Sequence, residues 1–168
     1  MRNACAQKYG CNMQLTRAAD YGVRALIHLA GAPAGERWIL SHLSGLTEVP
    51  VSFLSKVLQK LCRAGFVDSV RGQWGGFAIL PAGRAATIAS VIEAIEGPLQ
   101  LNACLAPGAS CSRKTLCPAH GEWVQAQAAM IKALQARTIS DLAAQAASPV
   151  KHSIQSEPVQ PERMRIIN

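Results

Sequence analysis

No stretch of this chain stays apolar for the roughly 18 residues a membrane helix needs, which excludes a helical span. The first residues, MRNACAQKYGCNMQLTRAAD, contain no apolar core of a secretory signal. The expected location is therefore cytoplasmic, without a membrane partner, and there thiols stay reduced. Charged residues are few, at 16%, and 49% of residues are hydrophobic, so most of the chain is globular. Aromatic residues are scarce, at 5%. A phosphate-cradling loop, a nucleophile beside a base, and paired carboxylates in a cleft are all missing, so an enzyme is not expected. No internal repeat is visible.

What is present begins with size. A chain of 168 residues is one domain, or one domain with an appended module, and can bury a core unaided. The net charge is +7, and its distribution is uneven. Up to Gly83 there are nine basic and four acidic residues, and from Arg84 onward eight and six. A basic N-terminal half suggests a polyanionic partner.

Residues 1–12 read as a polar, flexible extension. Thr16 is a helix N-cap, followed at helical spacing by Ala19, Val23, Leu26, Ile27 and Ala30. GAPAGE ends that helix. A short second helix is expected over Ile39 to Leu46, then a turn at EVP, with Pro50 at the start of a third. In the third, Leu54, Val57, Leu58 and Leu61 form one apolar face, and Gly65 is the C-cap candidate. Two β-like runs, Phe66–Val70 and Phe77–Leu80, flank a glycine-rich tip and predict a hairpin. A helix from Thr87 carries Ile88, Val91, Ile92 and Ile95 to a stop at Gly97-Pro98. A long helix is expected from Ala119 to Arg137. TISD at 138–141 has capping-box spacing for a last short helix, and the proline-bearing tail 148–168 reads as disordered.

Helix, short helix, turn, helix, hairpin is the order of a winged helix-turn-helix, a mostly α fold with a small β wing. The exposed face of the third helix offers Ser52, Ser55, Lys56 and Gln59 to base edges and phosphates of double-stranded DNA, with Lys60 and Arg63 in reach of phosphate. Arg71 sits at the wing tip among Gly72, Gly75 and Gly76, where it suits a narrow minor groove and the glycines permit close backbone approach. His42 is a weaker phosphate candidate, and Trp74 at the wing tip packs there or touches DNA.

Cysteines are concentrated in CLAPGASCSRKTLC, residues 104–117. The spacing Cys104-x6-Cys111-x5-Cys117 fits poorly to zinc, which wants four ligands in C-x2–4-C pairs. Ferredoxin-type runs are closer still. A cluster loop of wider spacing and a reversible thiol switch remain open. Arg113 and Lys114 inside the loop favour thiolate over thiol. Cys62 reads as a small buried residue, and Cys5 and Cys11 as exposed thiols without a role.

MQLTRAADYGVRALIHLA, VPVSFLSKVLQKLCRAGFVDSVRGQWGGFAI and the three-cysteine loop together resemble the bacterial winged-helix regulators of the IscR/NsrR family, the Rrf-type regulators. The resemblance covers about residues 13–146. It implies a DNA-binding domain over 13–98, a cluster-binding loop over 99–118 and a dimerisation helix with the last short helix over 119–147. It further implies a homodimer on a palindromic operator, a repressor more often than an activator, and an iron–sulfur cluster on Cys104, Cys111 and Cys117 that senses iron–sulfur status, nitric oxide or redox stress. For the fourth ligand His120 matches the histidine of two-iron members, and Asp20 the aspartate of four-iron members, donated from the partner subunit. Both are present. His120 and a two-iron cluster are the favoured pair, with Glu122 a further option and an Asp20–Arg24 ion pair the plainer role for Asp20. One departure is Ser55, which stands where such members often carry glutamate, so their operator sequence does not transfer.

Overall fold

The computed structural model describes residues 15–72, 75–106, 108, 111 and 116–147. The N-terminal extension with Cys5 and Cys11, Trp74, Arg113, Lys114 and the tail 148–168 lie outside the described residues.

The first helix, α1, spans Arg17–Gly31, and the Thr16 hydroxyl accepts from the Ala18 amide as its N-cap. Glu96 adds to this cap: its Oε1 accepts from the Thr16 amide at 3.1 Å and from the Thr16 hydroxyl. At the other end Arg84 donates to the Ala30 and Ala32 carbonyls at 2.8 and 2.7 Å, satisfying acceptors that a helix terminus leaves open. Helix α2 spans Leu40–Thr47 and α3 spans Val51–Arg63, with Pro50 as the N-cap residue of α3. The apolar face expected of α3 is realised, with Leu54, Val57, Leu58 and Leu61 all buried. Full burial of each such side chain stabilises by about 1.5–3 kcal/mol. Past α3, the Phe66 amide donates to the Leu61 carbonyl and the Gly65 amide to the Cys62 carbonyl, the paired bonds that close a helix through a left-handed glycine.

Strands β1 (Val67–Val70) and β2 (Gly76–Ile79) pair antiparallel, with Val67 opposite Ile79 and Val70 opposite Gly76. Trp38 extends this small sheet: its amide and carbonyl exchange hydrogen bonds of 2.9 Å with Phe77. A short helix, α4, occupies Pro81–Ala85, with proline in the first turn where its missing N–H costs nothing. The sequence reading contains no helix there. Helix α5 spans Ile88–Glu96 and opens on a reciprocal cap between Thr87 and Ser90.

A 3-10 turn at Ala103–Leu105 precedes α6, His120–Gln135. The last helix, α7, spans Ile139–Ala147. Its expected capping box is present: the Asp141 amide donates to the Thr138 hydroxyl, and the Thr138 amide donates to the Asp141 carboxylate at 2.9 Å. The Thr138 hydroxyl, which also donates to the Asp141 carboxylate at 2.7 Å, and the Thr138 amide hold that carboxyl below the usual carboxylate range. Sequence order groups α7 with the long helix, but α7 packs along α1 and buries Ile139 and Ala143 in the same core as Leu26, Leu58 and Val91. The Ile139 amide donates to the Ala86 carbonyl at 2.8 Å, and Thr138 bridges to Thr87. The chain thus leaves its core after α5 and returns to it beside the start of α5.

Candidate nucleic-acid interface and cysteine pocket

The core face of α3 fixes which residues point away from it. Ser52, Lys56, Gln59 and Arg63 are exposed and Ser55 is half-buried, all on the side opposite Leu54 and Leu58. This is a row of neutral and cationic hydrogen-bonding groups without a carboxylate, suited to base edges and phosphates. Phe53 and Val51 flank the row and are about half exposed, at 50% and 47%. Phe53 meets Tyr21 of α1 edge to face at 6.1 Å. Sequence reasoning passed over both, because they sit at the edges of the apolar stripe rather than on it.

Lys60 departs from expectation. Its ammonium donates to the Ile95 carbonyl at 2.6 Å, at the C-terminal end of α5, instead of standing free for phosphate. A cation there meets an open carbonyl and the negative end of the helix dipole, and both favour it.

The wing is anchored at its root. Arg37 pairs with Asp68 at 2.6 Å and reaches the Gly76 carbonyl, and this hydrogen bond keeps the Asp68 carboxyl below its ordinary range. Trp38 stacks on His42, with ring centroids 5.1 Å apart, so the His42 ring is engaged by the wing root. Arg71 and Gly72 are exposed at the tip. Gly75 and Gly76 have a different reason for being glycine than close approach to DNA. A Cβ on Gly76 would lie 2.8 Å from the Trp38 carbonyl oxygen with φ at +147°, and one on Gly75 would lie 2.2 Å from the Val70 carbonyl oxygen. The wing's own backbone demands both.

Cys62 is half-buried in α3. Burial pushes its thiol above the ordinary range, against a hydrogen bond with Ser69 that pulls the other way. It is therefore a poor thiolate.

Helix α6 and the 3-10 turn enclose a pocket of about 390 Å³. Cys104 and His120 line it together with Val124, Gln127, Ala128 and Ile131. Gln127 Oε1 accepts from the Leu101 amide at 3.1 Å and ties the incoming strand of the loop to α6. The His120 amide donates to the Cys117 carbonyl, placing Cys117 one turn before the helix. Cys117 is half-buried and Cys111 exposed, and neither lines the pocket. Among the described residues no three His, Cys, Asp or Glu side chains lie close enough to hold one metal ion. The four described cysteines are free thiols. Three thiolates and an imidazole form a donor set that iron–sulfur centres accept, so the residues suit such a group chemically. Asp20 instead pairs with Arg24 at 2.9 Å in the first turn of α1, about half exposed. Among the described residues, no helix is long and apolar enough to cross a membrane.

Helices α1 to α3 packed together, with a polar face on α3 and an anchored two-stranded wing beside it, define a winged-helix fold of the kind found in transcription regulators. The particular family is Rrf2, the iron-dependent transcriptional regulators, which matches residues 15–145; the chain belongs to it. Regulators of this family act on transcription and are not enzymes. Among solved structures, CymR, the global cysteine regulator of B. subtilis, superposes with a TM-score of 0.62 at 23% identity, over 79% of this chain and 97% of that one. The oxidised form of Staphylococcus aureus CymR gives 0.58 at 21%, over 77% and 95%. IscR of T. potens gives 0.56 at 22%, over 79% and 88%. These likenesses establish the fold.

Proposed function

We propose that the chain is a homodimeric repressor of transcription that binds a palindromic DNA operator. Its operator affinity is set by an iron–sulfur cluster on Cys104, Cys111, Cys117 and His120. The observation that carries this reading is the pocket shared by Cys104 and His120, which joins the loop to the start of α6, while Asp20 is engaged by Arg24. That pairing supports the two-iron type. When bound, the cluster would supply a centre reactive toward oxidants and nitric oxide. The dimer is supported by α6, a 16-residue helix with no buried residue, whose Trp123 and Val124 are exposed. A helix that packs on its own chain only along α5 and leaves large apolar side chains exposed gains stability from a partner.

Anaerobic purification with iron and sulfide counts tests the reading. About two irons and two sulfides per chain, lost in Cys111→Ala and in His120→Ala, are expected. About four irons, lost in Asp20→Ala but not in His120→Ala, would replace His120 by Asp20. A second reading is favoured by one observation, that the described donors are not gathered around a point. In it Cys104, Cys111 and Cys117 form a reversible thiol switch without a cluster. Protein that stays colourless after reconstitution, yet loses operator affinity on mild oxidation and regains it with thiol, would establish that alternative.

A further inference from the structure

The end of α5 is held from three sides. Lys60 of α3 donates to the Ile95 carbonyl at 2.6 Å. Glu96 accepts from Thr16 and so fastens the start of α1. Ile95 also packs so tightly on α1 that a Cβ on Gly22 would lie 2.2 Å from its Cδ1. Immediately beyond, Gly97 and Pro98 lead into the loop, and Leu101 is bonded to the pocket-lining Gln127. Helix α5 packs against α1, α3 and α6. The pocket and the reading helix therefore share one short run of backbone, Ile95 to Leu101, gripped by Gln127 at one end and by Lys60 at the other.

We infer that Lys60 is a positioning residue, which couples the state of the Cys104–His120 pocket to the orientation of α3 through the C-terminal end of α5. It does not serve as a phosphate contact. The inference rests on the reading above, that the state of the pocket controls operator binding. The physical basis is the stiffness of the linkage. A charged donor on a helix-terminal carbonyl is a strong, short contact. Five residues separate Leu101 from Ile95, with Pro98 restricting the run, so a displacement of the loop at Leu101 is felt at the end of α5 and, through the Ile95 carbonyl, by Lys60.

The test measures operator affinity of the full chain, loaded with ferrous iron and sulfide or stripped by chelator, across a salt series, for wild type, Lys60→Met and Lys60→Arg. Methionine keeps the apolar stem and removes the donor. Wild type is expected to show a loaded-to-stripped ratio on the order of 5–150-fold, the usual span of coupled sites. Lys60→Met should bring the ratio to within about twofold of unity with an unchanged salt slope, and Lys60→Arg should restore it. Loss of about one unit of salt slope, with the ratio intact, would make Lys60 a phosphate contact and overturn the inference. A wild-type ratio of one would overturn the regulatory reading and the coupling with it, whereas a large ratio that survives in Lys60→Met overturns only the coupling. If Lys60→Met does not fold, Gln127→Leu breaks the other end, with iron content measured separately. Hydrogen exchange at α3 should then stop responding to loading, and a continued response would count against the path.

Discussion

The head and the cysteine arm of this molecule are built on different terms. The head, made of α1 to α5 with α7, has a continuous core in which Leu26, Leu54, Leu58 and Val91 are fully enclosed, and side chains cap the starts of α1, α5 and α7. The arm, the loop and α6, buries none of the residues of its one helix. One region is complete as a single chain. The other presents donors and apolar side chains that a single chain leaves unfilled. The contrast is one of burial: enclosed apolar contact is concentrated in the head, and the helix of the arm encloses none of its side chains.

The largest effect that sharpens this contrast is expected in the core. Leu58→Ala should destabilise by about 2–5 kcal/mol in chemical denaturation, from lost burial and a cavity. Trp123→Ala in α6, at an exposed side chain, should leave the denaturation of the single chain nearly unchanged and instead weaken dimer association in sedimentation. Equal losses of fold stability would break the contrast. Next, Gly76→Ala should cost roughly 1–3 kcal/mol, because it combines a left-handed backbone with a collision on Trp38. Operator affinity should fall with it as the wing loses its root. Arg71→Ala leaves the fold untouched and should weaken operator binding by about 1–3 kcal/mol if the tip enters the minor groove, as read by anisotropy at fixed salt. Thr138→Ala, at the seam between arm and head, should cost about 1 kcal/mol through the lost cap. The smallest effect is with pH. Asp68 and Asp141 have lowered carboxyl values in the fold, so their contribution is present above the unfolded carboxylate value and is lost as pH falls through the lower folded one. The acid limb of a stability profile should flatten slightly in Asp68→Asn.

Local signals made much of the head legible. The spacing of Leu54, Val57, Leu58 and Leu61 located α3 and its exposed polar face, and the caps at Thr16 and Thr138 stand where their hydroxyls were expected. The features that escaped are those set by distant partners. Glu96 carries no local signal of its role, yet it caps α1 eighty positions away. Lys60 looked like a phosphate contact because periodicity says which face a side chain leaves from, not where a long flexible stem ends. Gly75 and Gly76 looked like an allowance for DNA, and the cause is Val70 and the return of Trp38 to the sheet. Helix α4 is too short for a period to show. In the arm, spacing alone left the loop's chemistry open, and the resemblance supplied the donor set. The grouping of Cys104 with His120 depends on how the 3-10 turn lies against α6, which no local pattern encodes.

Thr138 beside Thr87, and the Ile139 amide on the Ala86 carbonyl, close the chain on itself at the base of the arm. The chain between Gly97 and Thr138 leaves the head at one end of α5 and re-enters it at the other. The entropy of closing such an excursion grows only slowly with its length. Such an excursion can change its length and its side chains with little cost to the core, as long as Ile139 keeps its place beside Ala86.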